Sequence, residues 1–322
     1  MKDLFALVRP ACNFSGVMQD DAAIAVVDKK MIASNGFFTI SQPVEFADFE
    51  IPSVDLEFAL RRLSECEVDI TEKSVILKSS NSTIRIKRLA PKLEIKEPAI
   101  ETKKIKDVKN LLTVLTDILP FTEGSKQREW TRGARIDDKL ITATDGITLI
   151  SSELSESSGF EGVSLPREAI QYILHRGESL KEWGHNQYAV LLRFDDGAWA
   201  RIARFQLEMP DSALDIVKGI DDWENMQEMA QVYKSALKAV IDYSDETVSI
   251  HSDHVVTKRF LTEYKADIKT KLADKKKPAH FTSKYLSVVV DAASEIGFNR
   301  YPNLVPFKTA IGSRGVIIGR TK

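Results

Sequence analysis

Short runs of β-branched and apolar residues, separated by tight-turn signals, recur along the chain. The clearest turn signals are Asn35-Gly36 and Asp145-Gly146. Asn-Gly and Asp-Gly between β-prone runs favour hairpins, because both residues tolerate positive φ. The pattern predicts two hairpins built from Ile24 to Ile32 with Phe37 to Ile40, and from Ile136 to Thr142 with Ile147 to Ile150.

The two hairpins also share a sequence pattern. Residues 28–36 and 138–146 each read Asp-Lys, three mostly apolar residues, Ala, a hydroxyl residue, Asn or Asp, and Gly. The offset is 110 residues (146 − 36), so three such units would nearly fill the 322 residues. Self-similarity at a fixed spacing indicates a chain built from repeated structural units.

The surroundings of the hairpins repeat as well. A helix-like stretch precedes each hairpin, and a second one follows Pro52 or Pro166, since proline near the first turn is a helix-start signal. Two further strands close each repeat. The predicted helices are Lys2 to Cys12, Val54 to Leu63, Ile105 to Leu119 and Arg167 to His175, and the closing strands are Val68 to Lys78, Ser82 to Leu89, Tyr188 to Phe194 and Ala198 to Gln206.

The last third of the chain keeps this order in a more diverged form. We predict a helix over Asn225 to Asp242, a hairpin of Thr247 to Ile250 and Val255 to Leu261, a helix over Phe281 to Ile296, and closing strands at Val305 to Ala310 and Gly315 to Arg320. Glu97-Pro98 and Met209-Pro210 mark the boundaries, because the residue before proline leaves helical geometry. The predicted domains are residues 1–98, 99–210 and 211–322.

Each domain is thus expected to place two helices on an antiparallel sheet, a two-layer α+β arrangement. Three such domains leave sheet edges that must be covered. Joining edges between domains, and then between chains, would close the sheets into a ring.

Composition places the chain among ordinary soluble proteins, with 43% hydrophobic residues, 29% charged residues and a net charge of −2. No run of 18 apolar residues and no signal peptide is found, so we expect a cytoplasmic protein without a membrane span. The two cysteines, Cys12 and Cys66, suit a reducing compartment. The sequence contains no P-loop, no GxGxxG, no GxSxG and no metal-ligand spacing, so no cofactor, metal or catalytic residue is predicted.

Four motifs in order resemble the bacterial DNA polymerase III beta sliding clamps. They are Ala143-Thr144-Asp145-Gly146, Leu165-Pro166-Arg167, Met209-Pro210-Asp211, and the helix start Phe281-Thr282-Ser283-Lys284-Tyr285-Leu286. The chain departs from that family at Ile147-Thr148, where the family has arginine, and at Ile318-Gly319, where it has Met-Pro. Such departures suggest a diverged phage or plasmid version.

The resemblance implies a non-catalytic processivity factor that encircles duplex DNA. In the family the helices line the central hole, where lysines and arginines would meet phosphates without reading bases. Such charges also occur on ordinary solvated helix faces. The candidates for DNA contact are Arg61, Arg62, Lys103, Lys104, Lys106, Lys109, Arg167, Lys234, Lys238 and Lys284.

The resemblance also implies a pocket for peptides from DNA polymerase and the clamp loader. Apolar residues at these positions would equally suit a domain core. The candidates carried over are Thr131, Thr144, Gly146, Ile147, Leu149, Val217 and Ile318.

A homodimer is expected, with the last strand of the first domain joined to the third domain of another copy. The candidates are Ile84, Ile86, Ile241 and Tyr243, although Ile84 and Ile86 would also suit their own core. Three alternatives remain from the sequence: a trimer with two domains per chain, a repeat-built adaptor that never binds DNA, and an enzyme with an unrecognised site.

Overall fold

A computed structural model describes residues 1–12, 23–63, 65–90, 95–123, 128–204, 209–220, 223, 226–272 and 276–320. The chain divides into two compact units. Unit 1 contains residues 1–108 and 171–204, and unit 2 contains residues 109–170 and 205–322.

Seven α-helices lie in the described part of the chain. They are α1 Lys2–Val8, α2 Ser53–Arg62, α3 Val108–Ile118, α4 Arg167–Arg176, α5 Asp211–Lys218, α6 Gln231–Tyr243 and α7 Ser283–Ala292.

The strands follow the predicted alternation with the helices. They are β1 Ala23–Val27, β2 Lys30–Ser34, β3 Phe38–Pro43, β4 Phe49–Pro52, β5 Glu67–Ile70, β6 Ser74–Lys78, β7 Thr83–Lys87, β8 Lys103–Lys104, β9 Gly133–Asp137, β10 Leu140–Thr144, β11 Thr148–Glu153, β12 Val163–Pro166, β13 Leu180–His185, β14 Ala189–Phe194, β15 Trp199–Ala203, β16 Gln227–Glu228, β17 Thr247–Ile250, β18 His254–Arg259, β19 Thr262–Asp267, β20 Ala279–Thr282, β21 Ala293–Ile296, β22 Val305–Thr309 and β23 Arg314–Ile317.

Each unit contains one large and one small antiparallel sheet. In unit 1 the large sheet has the order β4-β1-β2-β3-β15-β14-β13-β8 and the small sheet the order β5-β6-β7. In unit 2 the large sheet has the order β12-β9-β10-β11-β23-β22-β21-β16 and the small sheet the order β19-β18-β17-β20. The strand after each Asx-Gly turn, β3 or β11, therefore joins the last strand of the next predicted domain.

The two strand joints, β3 paired with β15 and β11 paired with β23, have the same register. Ile40 lies opposite Ala200 across β3 and β15, and Ile150 lies opposite Gly315 across β11 and β23. Both Ile40 and Ile150 lie four residues after the glycine of their turn. The sequence repeat is therefore also a repeat of strand pairing.

Side chains before the glycines fix both turns. The Asn35 side chain accepts hydrogen bonds from the N–H groups of Phe37 and Phe38 at 3.0 and 2.8 Å. Asp145 accepts the equivalent bonds from Ile147 and Thr148 at 2.8 and 2.7 Å. Gly36 and Gly146 have φ of 81° and 94°, a conformation that glycine adopts without strain.

Aromatic side chains fill the layer between helices and sheets. The Tyr172 ring packs edge-on against Phe38 and Phe194 at centroid distances of 5.6 and 5.5 Å. In unit 2, Phe121 stacks on Phe307 at 5.6 Å. Such pairs contribute beyond the burial of their surface.

Several predicted element bounds are wrong. The helix expected from Asn225 begins at Gln231, and α5 after Pro210 was not predicted. The helix expected to reach Ile296 ends at Ala292, because residues 293–296 pair with β22. Strand β13 was also missed, and the end of the strand predicted to reach Gln206 lies outside the described residues.

Candidate functional site

An apolar floor in unit 2 brings together two of the predicted pocket residues, Leu149 and Val217. Leu149 on β11 lies opposite Val316 on β23. Both are buried with Ile220, Trp223 and Met226, and the partly buried Val217 packs against this cluster. The floor thus forms where the last strand of the chain joins β11.

The exposed part of this site follows the Asp145 turn. Gly146 and Ile147 are partly buried, and the N–H of Ile318 donates to the carbonyl of Ile147 at 3.0 Å. The side chain of Ile318 remains 45% exposed. The backbone therefore holds an apolar side chain beside the floor.

The two predicted threonines are buried and use their hydroxyls internally. Thr144 Oγ1 donates to the carbonyl of Thr148 at 2.5 Å, and Thr131 Oγ1 donates to the carbonyl of Arg128 at 2.7 Å. They hold the backbone of the site, and they are not exposed to a ligand.

Cationic residues that no sequence motif identified lie at Trp223 of the floor and beside the Gly146 turn. The Arg314 guanidinium lies 5.4 Å from the centre of the Trp223 ring. Lys308 Nζ donates to the Trp223 carbonyl at 2.8 Å. Arg128 Nη1 lies 3.7 Å from the position that a Cβ on Gly146 would occupy. No motif identifies these residues, because three distant segments bring them together.

Most of the basic candidates on helices are accessible to solvent. Several of them already pair with residues on the same or a neighbouring helix. Arg61 pairs with Glu57 at 2.8 Å and stays 71% exposed, and the Arg62 guanidinium lies 4.0 Å above the Phe58 ring. Lys238 forms an ion pair with Asp291, whose carbonyl accepts a 3.4 Å bond from Lys234. Lys284 is exposed beside Tyr285.

The four basic candidates near the start of the second predicted domain are Lys103, Lys104, Lys106 and Lys109, and most of them do not lie on a helix. Lys103 and Lys104 lie on β8, opposite Trp183 and Glu182, and not on a helix. Lys106 and Lys109 are exposed, and only Lys109 lies on α3. Helix α3 begins at Val108 because residues 103–104 instead extend the large sheet of unit 1.

Arg167 is part-buried and already bound within unit 2. Its Nη1 donates to the Leu119 carbonyl at 2.8 Å and to Thr122 Oγ1 at 2.9 Å. Its other terminal nitrogen lies 3.4 Å from Glu123. The guanidinium therefore holds the turn that follows α3.

The candidates for subunit contact lie at two sheet edges or just beneath them. Strand β7 is an edge of the small sheet in unit 1, where Ile84 is partly buried and Ile86 is buried. Ile241 on α6 is buried, and the Tyr243 ring lies 5.3 Å from Tyr264 on the edge strand β19. Ile86 and Ile241 are thus buried within their own units, while Ile84 on β7 is only partly buried and Tyr264 lies on the edge strand β19.

Metal-ligand groups and the buried cysteine are the features of the described residues that bear on metal and thiol chemistry. The described residues contain no group of three histidine, cysteine, aspartate or glutamate residues arranged to hold a metal. Cys12 is buried, and burial raises the pKa of its thiol to about 12, which leaves it unreactive. Within the same part of the chain, no helix has the length and apolar character needed to cross a membrane.

Comparisons with known proteins find the same architecture at low sequence identity. No protein-family model and no curated protein matches the chain by sequence. Among solved structures, the beta sliding clamp of C. crescentus has a TM-score of 0.76 at 13% identity. The DNA polymerase III beta subunit of Thermotoga maritima has 0.74 at 14%, and the Helicobacter pylori beta clamp bound to a DNA ligase peptide has 0.72 at 11%.

These likenesses extend over the full chain. Each of the three structures covers 100% of this chain and is itself covered to 97%. The α+β fold expected from the repeat is confirmed, and the chain has the fold of the bacterial DNA polymerase III beta sliding clamps.

Proposed function

We propose that this protein is a DNA sliding clamp, a processivity factor that encircles duplex DNA as a homodimeric ring and tethers a DNA polymerase. The observation that carries the proposal is the repeated strand joint. Two joints of equal register lie within the chain, and the edge strands β7 and β19 correspond to the strands that form them. Pairing β7 of each copy with β19 of the other would cover these two edges and join the two copies into a ring.

The domain division proposed with this function is 1–98, 99–210 and 211–322. Each of these segments contributes a four-stranded group ending in β3, β11 or β19, and a group ending in β7, β15 or β23. A trimer of two-domain chains does not fit three such segments. The paired edges are therefore best supplied by two copies.

The DNA contact proposed for the ring is electrostatic. Lysines and arginines on α2, α3, α6 and α7, with Lys104 and Lys106, would neutralise phosphates without reading sequence. The overall charge of −2 argues against tight binding over the whole surface. Topological closure would then hold the protein on DNA while the weak contacts allow sliding.

The partner site proposed for unit 2 is the floor of Leu149 and Val316 with the exposed Ile318. The structurally similar H. pylori clamp is bound to a DNA ligase peptide. An apolar peptide with a few anchors would bind at this floor. The cations Arg128 and Arg314 favour a peptide that carries acidic residues beside its anchors.

This role needs no cofactor, metal or catalytic residue of its own. We place the protein in the cytoplasm at the replication fork, where a polymerase and a clamp loader would be its partners. The alternative of a repeat-built adaptor shares the partner site but predicts no encirclement of DNA.

A topological experiment separates the clamp from the adaptor. Ile84→Cys and Tyr264→Cys are combined, with Cys66→Ser, so that oxidation links β7 to β19 of another copy. The reduced protein is mixed with nicked circular duplex, oxidised, and washed with SDS. A clamp gives disulfide-linked dimers that remain on circles and are released by linearisation.

The controls use linear duplex and protein oxidised before DNA is added, and neither should retain protein. Without DNA, light scattering should give about twice the monomer mass of 36.1 kDa. Disulfide dimers that form but never remain on circles would refute encirclement and favour the adaptor.

A further inference from the structure

The cross-strand rows of the sheets define which residues should meet at the third joint. In unit 1 one row runs Ile51, Ile24, Ala33, Ile40 and Ala200. The corresponding row in unit 2 runs Leu165, Ala134, Ala143, Ile150 and Gly315. Ile51 and Leu165 each lie two residues before the helix that follows them.

The third hairpin has the same row up to its free edge. Phe281 lies two residues before α7 and opposite Val248, which lies opposite Thr257. Thr257 in turn lies opposite Tyr264 on β19. Tyr264 is therefore the structural equivalent of Ile40 and Ile150.

The residue of β7 that corresponds to Ala200 can be found from the turn between β5 and β6. The innermost pair of β13 and β14 is His185 with Val190, and two residues later Leu192 lies opposite Ala200. The innermost pair of β5 and β6 is Ile70 with Val75, and two residues later Leu77 lies opposite Ile84. Ile84 is therefore the equivalent of Ala200, which faces Ile40.

Equal register at all three joints places Ile84 of one copy opposite Tyr264 of the other. Because the strands are antiparallel, Arg85 then lies opposite Glu263. Arg85 is exposed, and the side chain of Glu263 is 54% exposed, with Lys258 at 3.6 Å. Both side chains are thus accessible to a partner on the outer face of the sheet.

Resting on the proposed ring, we propose that Arg85 and Glu263 form a charge pair across each joint that makes assembly selective for copies of this chain. Opposite charges directly across a strand pair stabilise it, and like charges destabilise it. A slip of two residues in one direction would put Lys265 opposite Arg85, and a slip in the other would put Leu261 there. Pairing of two β7 edges would bring Arg85 and Lys87 of both copies together.

This register can be tested by exchanging the two charges in separate variants. Arg85→Glu alone, or Glu263→Arg alone, places like charges at both joints of a homodimer. A mixture of the two variants forms one swapped joint and one native joint, so both are complementary. Each variant alone should dissociate at least about tenfold more readily than the native protein, and the mixture should form heterodimers of native affinity.

Native mass spectrometry measures the species directly, and far-UV circular dichroism checks that each variant is folded. The chain carrying both substitutions should return to a homodimer. Lys87→Glu is the matched control, because its partner would be the uncharged Leu261, and its dissociation constant should change less than about threefold.

Three outcomes would refute the proposed Arg85–Glu263 charge pair. They are single variants that dimerise as the native protein does, a mixture without preferred heterodimers, or Lys87→Glu as disruptive as Arg85→Glu. If the pair fails while the Ile84→Cys and Tyr264→Cys disulfide still forms, the ring stands and only the charge pair is wrong. A native protein that is monomeric would refute both.

Discussion

The N–H of Ile318 donates to the carbonyl of Ile147 at 3.0 Å, one step beyond the last paired residues of β11 and β23. The equivalent bond at the other joint links Ala203 to Phe37 at 2.8 Å. The small Ala203 is partly buried, whereas the larger Ile318 is 45% exposed. The same backbone geometry therefore closes one joint and presents an apolar side chain at the other.

Ile318→Ala should weaken binding of a peptide rich in leucine and phenylalanine without affecting the fold. Burial of the exposed part of the isoleucine side chain by the peptide would contribute about 1 kcal/mol. The dissociation constant should therefore rise about fivefold, as measured by fluorescence anisotropy with a labelled peptide.

Ile311→Ala is the matched control, because Ile311 is 47% exposed and lies outside the floor of the site. Its peptide affinity should equal that of the native protein. Equal losses in both variants would show that the peptide does not bind at Ile318.

Gly315 permits β23 to lie against β11. A Cβ at this position would lie 2.3 Å from the Phe307 ring and 2.7 Å from the carbonyl of Leu149. Gly315→Ala should therefore lower the free energy of unfolding by about 1–3 kcal/mol through overpacking and weaken the peptide site. Urea denaturation measures the first effect and anisotropy the second.

Gly312→Ala separates this steric effect from backbone strain. Gly312 has φ of 90°, and no atom lies within 4 Å of a Cβ placed there. Gly312→Ala should lower the free energy of unfolding only through backbone strain, by about 1 kcal/mol. Its peptide affinity should be that of the native protein. Loss of peptide affinity in Gly312→Ala as well would show that the close contact at Gly315 is not what matters.

The repeat made most of the architecture predictable from sequence. The Asx-Gly turns fix two hairpins locally, and proline before α2 and α4 marks the helices. The short helix α5 and the strands β13 and β21 were missed. No proline or glycine interrupts residues 281–296, and only pairing with β22 shows that their end is a strand.

The sites were less predictable because they depend on tertiary contacts. The motif located Leu149 and Ile318, but Trp223 and Arg314 meet at the floor, and Arg128 lies beside Gly146, from other segments. Alternation along residues 82–89 identified two isoleucines on one face. It could not show that Ile86 is buried while Ile84, on the same edge strand, is only partly buried.

Replacing Lys104, Lys106 and Lys109 with glutamate should shorten retention on nicked circular DNA. If these exposed lysines face the duplex, each lost phosphate contact should also reduce the slope of log Kd against log salt concentration by about one. Retention half-life at several salt concentrations is the measurement.

Glutamates at Lys29, Lys30 and Lys139 provide the control, since these exposed lysines lie at the β1–β2 and β9–β10 turns and not in the segment 103–109 or on the strand that pairs with it. This control triple carries the same change in net charge and should keep native retention. Should both triples lose retention equally, the effect would come from net charge and not from a defined DNA-facing surface.

The joint between β3 and β15 should weaken in acid through Asp196. Its carboxylate lies 2.8 Å from Arg176 and accepts a 2.9 Å bond from Gln42 on β3. Partial burial opposes the charged form, but hydrogen bonds from Gln42, the Ala198 N–H and Arg176 outweigh it and hold the pKa of Asp196 below its ordinary value.

A carboxyl group whose pKa is lowered by folding stabilises the native state above its unfolded pKa, about 3.9 for aspartate. That contribution is lost as the pH falls through the lower pKa of the folded state. Asp196→Asn should therefore be less stable than the native protein at pH 7, and the difference should shrink below about pH 4. Urea midpoints between pH 2.5 and 7 measure it, with Asp195→Asn as the control because Asp195 lies 3.8 Å from its lysine partner at the surface. A difference between native protein and Asp196→Asn that stays constant down to the lowest pH would mean that the Asp196 charge does not stabilise this joint.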